Sequence, residues 1–154
     1  MTVELALAVQ YAEPAPELPR WRLRRWVQRS LDLAADSKSG LRSATITLRL
    51  VGLDEGRELN RQYRDRDHAT NVLTFEYGMD PDGMMAGDIV LCLPVLQREA
   101  DQQGKTLRRH AAHLTIHGVL HALGYDHHDP ATAQAMESME THILGSFGMP
   151  NPYA

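Results

Sequence analysis

One cysteine, Cys92, is all that this chain of 154 residues contains. An internal disulfide framework is therefore excluded, and the place of Cys92 in an apolar run reads as a buried strand thiol and not as a nucleophile. Long apolar runs are missing too. No stretch approaches the roughly 18 residues of a membrane-spanning helix, and no basic leader precedes the apolar residues Val3 to Val9. Both absences point to a cytoplasmic protein with no membrane partner. A positive net charge is lacking as well: at −4, the chain does not coat nucleic acid by bulk attraction. An electrostatic funnel needs only a positive cleft, however, and the cations are gathered. Arg22, Arg24, Arg25 and Arg29 crowd one segment, Arg57, Arg61, Arg64 and Arg66 another, and Lys105, Arg108 and Arg109 a third. The first group reads equally as a solvated helix face. Trp21 and Trp26 beside it either stack on bases or anchor the helix to its own sheet.

What is present fits one compact domain over 1–154 with a single core, since 43% hydrophobic and 23% charged residues are ordinary globular usage. Alternating and short apolar patterns predict strands at Val3 to Val9, Ala44 to Val51, Val72 to Tyr77 and Ala86 to Leu93. Helices are predicted from about Trp21 to Ala34, from a cap at Asp54 to about Arg64, and from Pro94 to about Gln103. Two more run from Thr106 through a histidine-rich stretch and from Ala131 to Phe147, where Met136, Met139 and Ile143 read as core. The turn Asp80-Pro-Asp-Gly83 is too short for a crossover, so the strands on either side of it pair antiparallel. The expected fold is α+β, a small mixed, mostly parallel four-stranded sheet packed with about five to six helices.

The histidine-rich stretch reads His117-Gly-Val-Leu-His-Ala-Leu-Gly-Tyr-Asp-His127. Histidines four apart on a helix project from one face, about 6 Å apart along the axis. Gly124 lets the backbone leave the helix through a left-handed cap, and the turn brings His127 back toward His117 and His121. A lone histidine is usually a surface or satisfied core residue, but three in this register describe a metal site. Structural zinc sites are closed by four ligands and lean on cysteine, whereas three ligands with an open fourth position are the catalytic arrangement. The spacing is also that of the metzincin proteases, which carry a glutamate directly after the first histidine as general base. Here that position is Gly118. The residues alone thus describe a metal-dependent hydrolase binding one Zn2+ per chain and lacking a peptidase base. Around the motif, Thr70 and Asn71 either build a turn or present donors to substrate. His113 lies one helical turn before His117 and supports a ligand or contacts substrate. Asp126 fixes the turn or orients an imidazole, and Asp88 serves the architecture.

The block Ala112-His-Leu-Thr-Ile-His-Gly-Val-Leu-His-Ala-Leu-Gly-Tyr-Asp-His127 resembles the signature of the YbeY family of bacterial endoribonucleases, also called rRNA maturation factors. Leu59-Asn-Arg-Gln-Tyr-Arg-Asp-Arg-Asp-His-Ala-Thr-Asn-Val-Leu-Thr-Phe75, Gly87-Asp88-Ile89 and, more weakly, Met136-Glu-Ser-Met-Glu-Thr141 are similar to further family segments in the family's order. The likeness spans about residues 45 to 147, with departures at Ala122, smaller than the usual aliphatic, and His128, an added imidazole. It implies a zincin-like metal helix with His117, His121 and His127 as zinc ligands. It also makes Arg64 a catalytic residue of the cleft, although a cation at a helix end is favoured by the dipole alone. The implied activity is a zinc-dependent, single-strand-specific endoribonuclease that matures the 3′ end of small-subunit ribosomal RNA and takes part in ribosome quality control. Its implied partners are single-stranded and ribosomal RNA and the ribosome or its proteins, with Thr70, Asn71 and His113 as candidate substrate contacts. Two rivals stand beside it: a degenerate metzincin-like peptidase, which needs another carboxylate, and a non-enzymatic zinc-containing ribosome-assembly factor.

Overall fold

The computed structural model describes residues 2–36 and 40–154. Chain order is β1 (Glu4–Tyr11), α1 (Arg20–Ala35), β2 (Ser43–Val51), α2 (Leu53–Arg64), β3 (Val72–Met79), β4 (Met84–Cys92), α3 (Leu93–Gln103), α4 (Leu107–Ala122) and α5 (Pro130–Gly145). The sheet runs β1-β2-β4-β3; β1/β2 and β2/β4 are parallel and β3/β4 antiparallel. This is the α+β fold expected from the sequence, with five helices among the described residues.

Alternation along the strands divides the sheet into two unlike faces. Ile46, Leu48 and Leu50 of β2 and Ile89 and Leu91 of β4 point to one side, join Leu23, Leu31, Ile116 and Leu120 of the helices, and are fully buried. Each such side chain contributes about 1.5–3 kcal/mol of transfer free energy. The other side holds a smaller cluster of Val51, Leu73, Val90, Cys92 and Val95, with Leu59 of α2 against it. Cys92 is buried there, as expected, and burial pushes its thiol pKa up.

Helix α4 is the centre of the molecule and packs against α1, α3, α5, β3 and β4. It comes close to β4 because small residues face the strand. A Cβ on Gly118 would stand 2.8 Å from the Ile89 methyl Cγ2, and one on Gly87 would stand 3.0 Å from Ala122 Cβ. The small residue at position 122 therefore matches the glycine opposite it.

Strand β1 runs two residues past the expected Val9 and β4 begins two residues before Ala86, and helices α2 and α5 also depart from expectation. Helix α2 starts at Leu53 after an extended Gly52, so Asp54 is not its cap. Asp54 and Glu55 sit in the first turn, where negative charge suits the dipole, and Glu55 is already committed to Arg49 at 2.5 and 2.9 Å. Helix α5 ends at Gly145 and not at Phe147, whose ring lies under the guanidinium groups of Arg25 and Arg29. Trp26 is buried and anchors α1 in the core, while Trp21 is exposed and carries Arg22 over its ring.

Candidate metal centre and active site

Thr106 caps α4 by accepting from the Arg109 amide at 3.1 Å, and the helix carries His117 and His121 on successive turns. Its far end closes as a Schellman motif: the Gly124 amide donates to the His121 carbonyl and the Tyr125 amide to the Leu120 carbonyl. That motif needs a left-handed residue, and Gly124 supplies it at φ +100°. Asp126 then accepts from the His128 amide at 3.1 Å, forming an Asx turn that swings His127 back over the helix. Asp129 and Thr132 form a capping box that starts α5 directly afterwards. The outcome is a cluster of three rings, with centroids 5.0 Å apart for His117 and His127 and 6.5 Å for each ring against His121. His117 and His127 stack within 16° of parallel. Burial lowers the pKa of His121, which favours the neutral ring, and its Nδ1 is buried without a protein partner.

Behind the cluster stands a carboxylate that the sequence reading passed over. Glu140 of α5 is fully buried; His117 Nδ1 lies 3.2 Å and His113 Nε2 3.4 Å from its Oε2. The Tyr153 hydroxyl donates to the same group, 2.5 Å from Oε1 and 3.0 Å from Oε2. Burial pushes the Glu140 carboxyl up, but the hydrogen bonds from His113, His117 and Tyr153 outweigh it and hold the pKa at about 2. Burial and Glu140 together raise the pKa of Tyr153. A signal for Glu140 did exist: it falls on the apolar stripe of α5 with Met136, Ile143 and Leu144, where a glutamate has no reason to sit unless it has partners.

Arg64 is the last residue of α2, exposed, and without a carboxylate partner among the described residues. Its neighbours are not so placed: Arg57 pairs with Asp67 and Arg61 with Glu58. The Arg64 charge reaches His121 and helps to lower its pKa, while Glu76 acts in the opposite sense. Glu76 lies opposite Gly87 in the β3/β4 register, on the sheet face that α4 covers, and is a second carboxylate that no motif in the sequence marks. Thr70 is half-buried before β3 and makes no side-chain hydrogen bond among the described residues. Asn71 is tied inward: its amide donates to Glu99 at 3.1 and 3.3 Å and its Oδ1 accepts from the Val72 amide. His113 faces inward too, against Tyr153 and Glu140, with Nδ1 buried. Asp88 accepts from the Tyr77 hydroxyl at 2.7 Å on the opposite face of the sheet. A cleft of about 410 Å³ opens there between Arg49, Tyr63, Tyr77 and Asp88, and no histidine lines it.

Residues 9–148 match the family profile described as Endoribonuclease YbeY. The chain belongs to the YbeY endoribonuclease family. Its endoribonuclease YbeY relative from Bordetella pertussis is 60% identical over 154 residues, covering 99% of this chain and 98% of that one. The YbeY of Thiobacillus denitrificans is 50% identical over 154 residues and 99% of both chains. That of Methylibium petroleiphilum is 47% identical over 152 residues, 97% of this chain and 95% of its own. The fold is shared with the solution structure of TM1509 from Thermotoga maritima, at a TM-score of 0.59 and 21% identity over 93% of this chain and 92% of that one. YbeY proteins are hydrolytic endoribonucleases, so cleavage within an RNA chain is the reaction class to which the site must answer.

Proposed function

We propose that this YbeY-family endoribonuclease is zinc-dependent and single-strand-specific, with His117, His121 and His127 holding one zinc ion. The observation that carries the reading is the grouping of the three imidazoles, backed by a carboxylate at His117 and within reach of the charge of Arg64. The donor set suits zinc: three nitrogen ligands, no cysteine, and a His117 ring whose Nδ1 is engaged so that Nε2 is left for coordination. When bound, such an ion supplies Lewis acidity toward a phosphate oxygen and lowers the pKa of coordinated water. The protein does the rest. Arg64 donates to the non-bridging phosphate oxygens and stabilises the charge that grows on them. Thr70 offers its free hydroxyl to substrate, while Asn71 and His113 act from behind, fixing the loop before β3 and the Glu140 carboxylate.

The arginines of α1 favour RNA as the strand bound alongside. A groove of about 300 Å³ between Trp21, Arg22, Arg25, Arg108 and Phe147 has no carboxylate paired to its cations among the described residues. Guanidinium and aromatic surface of this kind suits phosphate and base together. The biological setting, maturation of the 3′ end of small-subunit ribosomal RNA and ribosome quality control, is proposed on family membership. A peptidase reading gains nothing from the fold, because a glutamate side chain at position 118 would run into Ile89 of β4.

The test is cleavage of labelled single-stranded and duplex RNA by purified protein, with a chelator and with zinc restored. The reading predicts loss of cutting under chelation by a protein that stays folded, recovery with zinc, and little cutting of duplex. Unfolding on chelation would favour a structural zinc protein, and cutting that ignores the chelator would reject the metal reading.

A further inference from the structure

We propose that Glu140 and Tyr153 are positioning residues for the metal centre: Tyr153 and His113 fix the buried Glu140 carboxylate, which locks His117 in the one tautomer that presents Nε2 for coordination. The inference rests on the zinc reading above and extends it to the C-terminal segment.

An ionised carboxylate only accepts hydrogen bonds, so every group that touches it must bring a hydrogen. His117 Nδ1 at 3.2 Å therefore carries its proton, and the lone pair of a neutral His117 lies on Nε2. The Tyr153 hydroxyl spends its hydrogen on Glu140, which leaves its oxygen to accept from His113 Nε2 at 3.2 Å. Two donors, His117 of α4 and Tyr153 of the C-terminal segment, thus hold one carboxylate in one orientation, and His113 braces the tyrosine that does so.

The setting shows why that orientation is worth holding. Glu140 is fully buried, and among the described residues its ion-pair partners are imidazoles, with no lysine or arginine in reach. A carboxylate so placed is expensive, and an apolar residue on this stripe beside Met136 and Ile143 would pack at less cost. The negative charge is compensated once a cation is bound on the far side of the His117 ring, because a carboxylate behind a ligand histidine raises its basicity and fixes its ring. His110, on the same helix, shows the contrast: its carboxylate partner Glu99 is 27% exposed in the side chain, against 1% for Glu140.

The experiment uses full-length Glu140→Gln and Tyr153→Phe proteins and three readouts. These are the His117 tautomer by nitrogen-15 NMR of the metal-free protein, zinc affinity by competition with a chromophoric chelator, and the thermal midpoint of the metal-free protein. Wild type should show His117 protonated on Nδ1. Glu140→Gln should erode that preference and weaken zinc by about 10–100-fold while the metal-free midpoint is held. Tyr153→Phe, at a half-exposed ring, should give the same pattern more weakly. Zinc affinity unchanged in both variants, or an affinity loss that simply follows a fall in the midpoint, would overturn the inference. Failure of the zinc reading is told apart because it appears in wild type as an absence of binding. The tautomer measurement needs no metal, and a wild-type His117 protonated on Nε2 would overturn the positioning role even if zinc binds.

Discussion

At the N-terminal end of α4, His110 meets Glu99 through Nε2 at 2.8 Å; about two turns along, His117 meets Glu140 through Nδ1 at 3.2 Å. The two pairs share a helix and a chemistry and differ in which nitrogen is tied. At His110 the free nitrogen, Nδ1, is buried without a partner and the side chain is 4% exposed. At His117 the side chain is 19% exposed and the ring stacks on His127. Glu99 also receives Asn71, so the first pair braces α4 and α3 against the loop before β3. A buried histidine and carboxylate are therefore no sign of a reactive site by themselves. What distinguishes the second pair is that its ring stands beside two other imidazoles and stays partly exposed.

The largest expected effects break the comparison outright. His117→Ala, His121→Ala or His127→Ala should each abolish stoichiometric zinc and RNA cleavage, because two imidazoles rarely hold the ion. His110→Ala should do the reverse, keeping zinc while losing about 1–3 kcal/mol of stability as Glu99 loses one of its two partners. Metal analysis and thermal melts on the four proteins check this, with exposed His142→Ala as a control. Next in size is Arg64. Arg64→Ala should lower cleavage by about a hundredfold or more while stability stays within about 1 kcal/mol, and Lys should rescue poorly because a point charge does not replace a bidentate fork. Equal losses of stability and activity would reduce Arg64 to a helix-end cation.

The site was legible in the sequence where a local rule places the residue. His117 and His121 follow from helix periodicity, and Gly124 from its left-handed cap, so the cluster stood in the spacing alone. Strand alternation and the Asp80 to Gly83 turn likewise gave the antiparallel end of the sheet. Partners from distant segments were not legible. Glu140 lies 23 residues from His117 and Tyr153 a further 13 from Glu140, and their meeting depends on how α5 packs on α4. Asn71 reads from the sequence as a turn residue or a donor to substrate, and its tie to Glu99 of α3 is invisible there for the same reason. Asp54 reads as a cap because it is the residue type caps favour, yet the helix begins one residue before it, and Glu55 beside it is held by Arg49 of β2.

Smaller effects sharpen the picture. Gly118→Ala should destabilise the protein by about 1–3 kcal/mol despite the better helix propensity of alanine, since the new Cβ meets Ile89 Cγ2 at 2.8 Å. A melt that rises instead would show that α4 has room against β4. The smallest effect concerns pH. Burial lowers the His110 pKa from the ordinary 6.5, against the opposing hydrogen bond to Glu99. The folded protein then binds fewer protons at this site than the unfolded chain, so its contribution is complete above about pH 6.5 and is lost as the pH falls toward the lowered value. The melting midpoint of metal-free protein should therefore fall on acidification below pH 6.5, and less steeply in His110→Gln.

The contrast between the two pairs is tested most directly by equilibrium zinc titration of wild type, His110→Ala and His117→Ala under one condition. Wild type and His110→Ala should each take up one tightly held zinc ion per chain and His117→Ala none. One ion bound with wild-type affinity by His117→Ala would contradict the account.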